Sequence, residues 1–206
     1  MRDRKSRIIL IMKVLAILGS PRRGGNAETL LDKALEGVQS TGVSLEIEKV
    51  VLNELKFSPC QECGGCDKTG RCVLKDAMQD IYKKIDQADA VIISSPIFFG
   101  SLPAQVKAMI DRYQCRWVAK YILEEKEIRP AKKGLLILVE ASARESFLKN
   151  AQSIIKNFFA VSNIGFTAKL YCPQVDKRGD ILKDEDCLKR AFELGKETIK
   201  NDGRGQ

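Results

Sequence analysis

Apolar positions along this chain follow two rhythms that alternate from one end to the other. Short runs rich in Val, Ile and Leu at 13–18, 44–52, 90–95, 134–140 and 166–172 have the length of strands. Several are apolar at nearly every position, as strands buried on both faces must be. Between them the apolar residues recur every three or four positions, which predicts helices over 27–39, 76–86, 103–123, 145–161 and 183–200. Strict alternation of strand and helix predicts a parallel sheet with helices on both faces.

Five strands in that alternation suit an α/β, three-layer, flavodoxin-like doubly wound sheet of order 2-1-3-4-5, whose ligand crevice lies beyond the carboxyl ends of strands one and three. The 206 residues suffice for one such domain, taken here as 12–200, and leave little room for a second. Residues 1–7 are basic and precede an apolar run, as in a secretory signal, but Lys13 interrupts that run and no small-residue cleavage site follows it. Residues 1–11 are therefore expected to be an extension or an over-called start ahead of Met12, and 201–206 a frayed tail. With no signal and no long apolar run, the expectation is a cytoplasmic protein without a membrane span.

Charge adds a candidate partner. Lys and Arg number 35 against 27 Asp and Glu, a net +8, which fits nucleic acid, an acidic protein or merely a solvated surface. No basic stripe interleaved with aromatics is present, so nucleic acid is not expected.

Two loops fall at the ends of strands one and three. The first, 19–26, reads GSPRRGGN and opens a helix, where backbone N–H groups and the helix dipole attract an anion. It lacks the lysine and hydroxyl of a triphosphate loop, which suits a single terminal phosphate with Ser20, Arg22 and Asn26 as donors; a plain turn with Asn26 as N-cap is the alternative. The second loop places Pro96, Ile97, Phe98, Phe99 and Gly100 where a planar ligand would sit, its backbone amides facing the ligand's polar edge, unless the aromatics are simply core.

The loop 58–73, after strand two, carries Cys60, Cys63, Cys66 and Cys72 at C-x2-C-x2-C-x5-C. In a reducing compartment clustered thiols bind metal or do redox work. Three such ligands wrap three corners of an iron–sulfur cubane and a fourth within reach closes it. Gly64, Gly65 and Gly70 permit the tight turns. Zinc, a redox disulfide and an empty reduced loop remain alternatives. Cys115, Cys172 and Cys187 fall in expected helix or strand and read as packing residues.

The two loops together resemble the NADPH-dependent FMN reductase family of flavodoxin-like proteins, and the cysteine spacing makes the chain similar to the iron–sulfur flavoproteins within it. The resemblance covers about residues 12–200 and implies FMN, a 4Fe-4S cluster and a homodimer or dimer of dimers. Ala27 stands where the family often has a threonine phosphate donor. Glu28 follows, and must point away from a bound phosphate. Residues 140–144, EASAR, replace a glycine-rich turn of the family.

The expected function is transfer of electrons between a ferredoxin-like donor, the 4Fe-4S cluster and FMN, and on to a small acceptor. The chain has no histidine, which removes the usual proton shuttle and suits a redox carrier. With all three loops at one rim, strand spacing puts cluster and flavin on the order of 10 to 15 Å apart. The alternatives are an NAD(P)H-dependent flavin or quinone reductase with a structural cysteine loop, and a redox-sensing interaction protein.

Overall fold

The computed structural model of the protein describes residues 11–126 and 130–200. The expected extension, except Ile11, and the expected tail lie outside the described residues.

Five parallel strands form one sheet of order β2-β1-β3-β4-β5: β1 (Met12–Leu18), β2 (Leu45–Val51), β3 (Ala90–Pro96), β4 (Lys132–Val139) and β5 (Ile164–Cys172). This is the flavodoxin-like arrangement expected. Every residue of β3, the middle strand, is buried. The edge strands β2 and β5 instead alternate buried or half-buried positions with exposed ones. One apolar layer packs α1 (Asn26–Gln39) and α6 (Glu185–Lys200) on one face of the sheet. The other face is covered by α2 (Met78–Gln87), α3 (Ala104–Asp111), α4 (Gln114–Trp117) and α5 (Glu145–Val161). No helix among the described residues is long and apolar enough to cross a membrane.

Two expectations need correction. The helix expected over 103–123 is three pieces: α3 ends at Asp111, α4 is four residues long, and a π-helical turn follows at Val118–Ile122. The break lies at Arg112, where the carbonyl accepts from the Tyr82 hydroxyl at 2.7 Å and the Cys115 thiol at 3.3 Å, and the guanidinium is buried rather than solvated. Apolar periodicity runs on through this corner, so it hides the break. Second, Cys172 and Cys187 are not separate packing residues but a disulfide. The carboxyl end of β5 and the first turn of α6 bring their Cα atoms to 6.3 Å, within bonding range.

Candidate functional site

At the carboxyl ends of β1, β3 and β4 a recess is lined by the 20–27 loop, Pro96 to Phe98, Val139 to Ala141, and the segment after β5 that includes Val175, Asp176 and Arg178. Helix α1 starts here with Gly25, not Asn26, at its N-cap, and no side chain caps it. Its first N–H groups have no intrahelical acceptor, so an anion would complete the helix.

The loop is held by its own side chains. The Ser20 hydroxyl accepts from Arg22 N–H at 3.2 Å, and Arg22 Nη1 donates to the Asp176 carbonyl at 3.3 Å. The Arg178 guanidinium donates to the Arg23 carbonyl. Asn26 turns to the loop after β5: its Nδ2 donates to the Lys177 carbonyl at 2.9 Å, and its Oδ1 accepts from Gly179 N–H at 3.0 Å and Ile181 N–H at 3.4 Å. Its side chain is thus engaged with that loop, while its backbone N–H stays at the helix start. Glu28 points away, as required. It is buried, and accepts from Gly24 N–H at 2.6 Å and Lys49 Nζ at 2.7 Å, with Arg23 at 3.1 Å. Burial pushes its carboxyl up, but Lys49, the Gly24 amide and Arg23 together hold it below the ordinary glutamate range.

Of the residues expected around a planar ligand, Pro96, Ile97 and Phe98 line the recess, and Phe99 and Gly100 do not. Phe99 is fully exposed at a left-handed φ of 49°, and the Gly100 carbonyl accepts from Asn150 Nδ2 at 2.8 Å. Sequence reasoning missed Glu140. This residue is 4% exposed in the lining, accepting from the Tyr171 hydroxyl at 2.6 Å and from the Ser142 hydroxyl. Burial and the Glu140 carboxylate push the Tyr171 hydroxyl well up. A charged residue ending the apolar run of β4 was the available signal. Nothing marked Val175, Asp176 or Arg178, which fold alone brings to the rim.

A second recess, about 530 Å³ in volume, brings Cys60, Cys63, Cys66 and Cys72 together with Cys115, Arg112, Gln114 and Asp111. Cys115 is buried, as a packing residue would be, but it joins the cysteine recess. The loop 58–73 forms no helix or strand. It departs from the same edge of the sheet, and Leu55, Phe57, Cys66 and Cys72 pack on the apolar layer of α2 to α5. Gly70 has a φ of +63° and lies so close to the π turn that a Cβ there would stand 2.5 Å from the Ala119 Cβ. The recess sits beside the last residues of α3 and the start of α4. The two recesses share no lining residue.

Arg112 and Asp76 close the neck of the loop. Arg112 Nη1 donates to Asp76 Oδ2 at 2.6 Å and to the Ser58 carbonyl at 2.8 Å, and Nη2 donates to Asp76 Oδ1 at 3.2 Å. Asp76 also accepts from Ser58 and Met78 N–H. Burial works against the Arg112 charge, but Asp76, Tyr82 and Cys72 outweigh it and raise its proton affinity. Burial likewise pushes the Cys66 thiol up, helped by Cys115 and Asp67. Among the described residues no group of three or more Cys, Asp or Glu stands ready to chelate a single ion.

The sequence profile of a family described as NADPH-dependent FMN reductase matches residues 12–164. An iron-sulfur flavoprotein of Archaeoglobus fulgidus is 42% identical over 101 residues, 49% of this chain and 45% of that protein. An iron-sulfur flavoprotein of Methanosarcina thermophila is 40% identical over 101 residues, 49% of this chain and 52% of that one. The chain thus spans about half the length of the curated relatives it matches. Among solved structures, an azoreductase from Bacillus anthracis superposes with a TM-score of 0.71 at 14% identity, covering 90% of this chain and 99% of that one. At that identity the likeness concerns the fold.

Proposed function

Because the chain belongs to the NADPH-dependent FMN reductase family, we propose that it is an FMN oxidoreductase carrying a 4Fe-4S cluster, an electron-transfer protein that accepts electrons from an acidic ferredoxin-like donor and delivers them to a small acceptor. The observation that carries this reading is the gathering of Cys60, Cys63, Cys66 and Cys72 around one recess in a chain that also has an anion-ready helix start at its switch point.

The donor set fits FMN. Ser20, Arg22 and the first N–H groups of α1 would hold the phosphate, with Arg178 beside them, and the backbone at Pro96 to Phe98 would meet the ring. The four cysteines would hold the cluster as thiolates. When bound, FMN exchanges two electrons together or singly and the cluster exchanges one, so the pair converts between hydride-like and single-electron chemistry. Glu140 accepts hydrogen bonds from the Tyr171 and Ser142 hydroxyls and would stand as a fixed carboxylate beside the ring, in a chain without histidine.

A homodimer or dimer of dimers is part of the proposal. Phe98, Phe99, Trp117, Tyr121, Ile122 and Leu123 are exposed apolar residues that a second copy would cover. An acidic donor is favoured by the net +8 charge. Anaerobically purified protein is expected to hold FMN well above riboflavin and to carry iron and sulfide, which Cys63→Ala removes while the fold persists. Stopped-flow reduction by ferredoxin should outpace NADPH, slow with rising ionic strength, and fail in Cys63→Ala. Zinc without sulfide, or faster reduction by NADPH that ignores the cysteine change, sinks the proposal.

A further inference from the structure

Arg112 is used only in part by the contacts that hold it. Its side chain is completely buried, its two terminal nitrogens serve Asp76 and Ser58, and its Nε–H, also buried, has no acceptor among the described residues. A guanidinium N–H left unpaired in the interior is costly unless a partner arrives with a ligand. Arg112 lines the cysteine recess and Asp76 does not. The other charged residues lining it are Glu62, Asp67 and Asp111, so Arg112 is its one cation among the described residues. Asp111 is engaged by Lys107 at 2.5 Å.

We propose that Arg112 is a positioning residue for the 4Fe-4S cluster, setting its reduction potential by presenting a buried Nε–H and a fixed positive charge to the sulfur of the recess. The inference rests on the cluster reading above. One-electron reduction adds one negative charge to the site and takes up no proton from Arg112, whose guanidinium stays charged throughout. In a poorly solvated recess a nearby cation stabilises the more negative state, and hydrogen bonds to sulfur act in the same direction. Asp76 opposes this from behind the guanidinium. The pair thus presents its positive end to the cysteines.

A purely structural clasp would have the same hydrogen bonds, so the test reads a potential. Native protein, Arg112→Gln and Asp76→Asn are purified anaerobically, assayed for iron and sulfide, and titrated with dithionite while the reduced cluster is followed by electron paramagnetic resonance. Arg112→Gln is expected to lower the midpoint so that at the native midpoint the oxidised form exceeds the reduced by about tenfold, equivalent to ~59 mV for one electron. Asp76→Asn, which leaves the cation in place and removes its counter-charge, is expected to move the midpoint the other way. If Arg112→Gln holds no iron, the Asp76→Asn shift decides alone. An unchanged or lowered midpoint in Asp76→Asn, an unchanged one in Arg112→Gln, or loss of cluster from both variants overturns the proposal. Native protein without iron and sulfide would remove the cluster reading itself, before any variant is compared.

Discussion

At the scale of single residues, the loop after β1 depends on where its carboxylate points. Glu28 lies two residues from the Asn26 helix start, yet Gly24, Lys49 and Arg23 gather around it, leaving the anion side to Arg22 and Arg178. Its folded pKa lies below its unfolded one, so the stabilisation it supplies is fully present above the ordinary glutamate value of about 4.3 and is lost as pH falls through the lower folded value. Thermal unfolding across that acid range should show a limb in native protein that is shallower in Glu28→Gln. Equal limbs would mean that other carboxylates govern acid unfolding. The sequence exposed the loop at the strand end because glycines and arginines there are a local signal. Partners such as Lys49 and the 177–181 backbone come from distant parts of the chain, and their role at Glu28 and Asn26 had no local trace.

At the scale of elements, the five strands were readable from the two apolar rhythms: the inner strand β3 is buried throughout and leaves no polar position to confuse the pattern, and the edge strands alternate as half-buried strands do. The failure at 103–123 has a physical cause. Arg112 looks like a solvated helix position, but the structure buries it to hold the neck of a loop thirty-six residues earlier in the chain, as the separation from Asp76 shows. The same long-range packing holds the cysteine loop against the layer of α2 to α5. Gly70 is the point of closest approach. Gly70→Ala imposes a left-handed conformation that costs an alanine about 1 to 2 kcal/mol and pushes against Ala119. Lowered iron per chain and an earlier thermal transition are expected, with partial recovery in the double change Gly70→Ala, Ala119→Gly. Undiminished iron and an unmoved transition would show that the loop does not rely on this contact.

At the scale of the whole molecule, one covalent bond reaches the edge of the switch-point recess. The Cys172–Cys187 disulfide spans a sequence separation of 15, and Val175, Asp176 and Arg178 lie between its ends. The intact bond and an occupied recess both narrow the conformations open to this segment, so they are thermodynamically linked. Whatever FMN adds to the bond's resistance to reduction, the bond must add to FMN affinity. Saturating FMN is expected to lower the disulfide's reduction potential, by about 30 mV for each tenfold tightening, when thiols are titrated in a defined redox buffer with and without flavin. Equal potentials would mean that the segment holds its shape without the bond. With the coupling present, the flavin content of a preparation becomes a record of the reducing strength it has met.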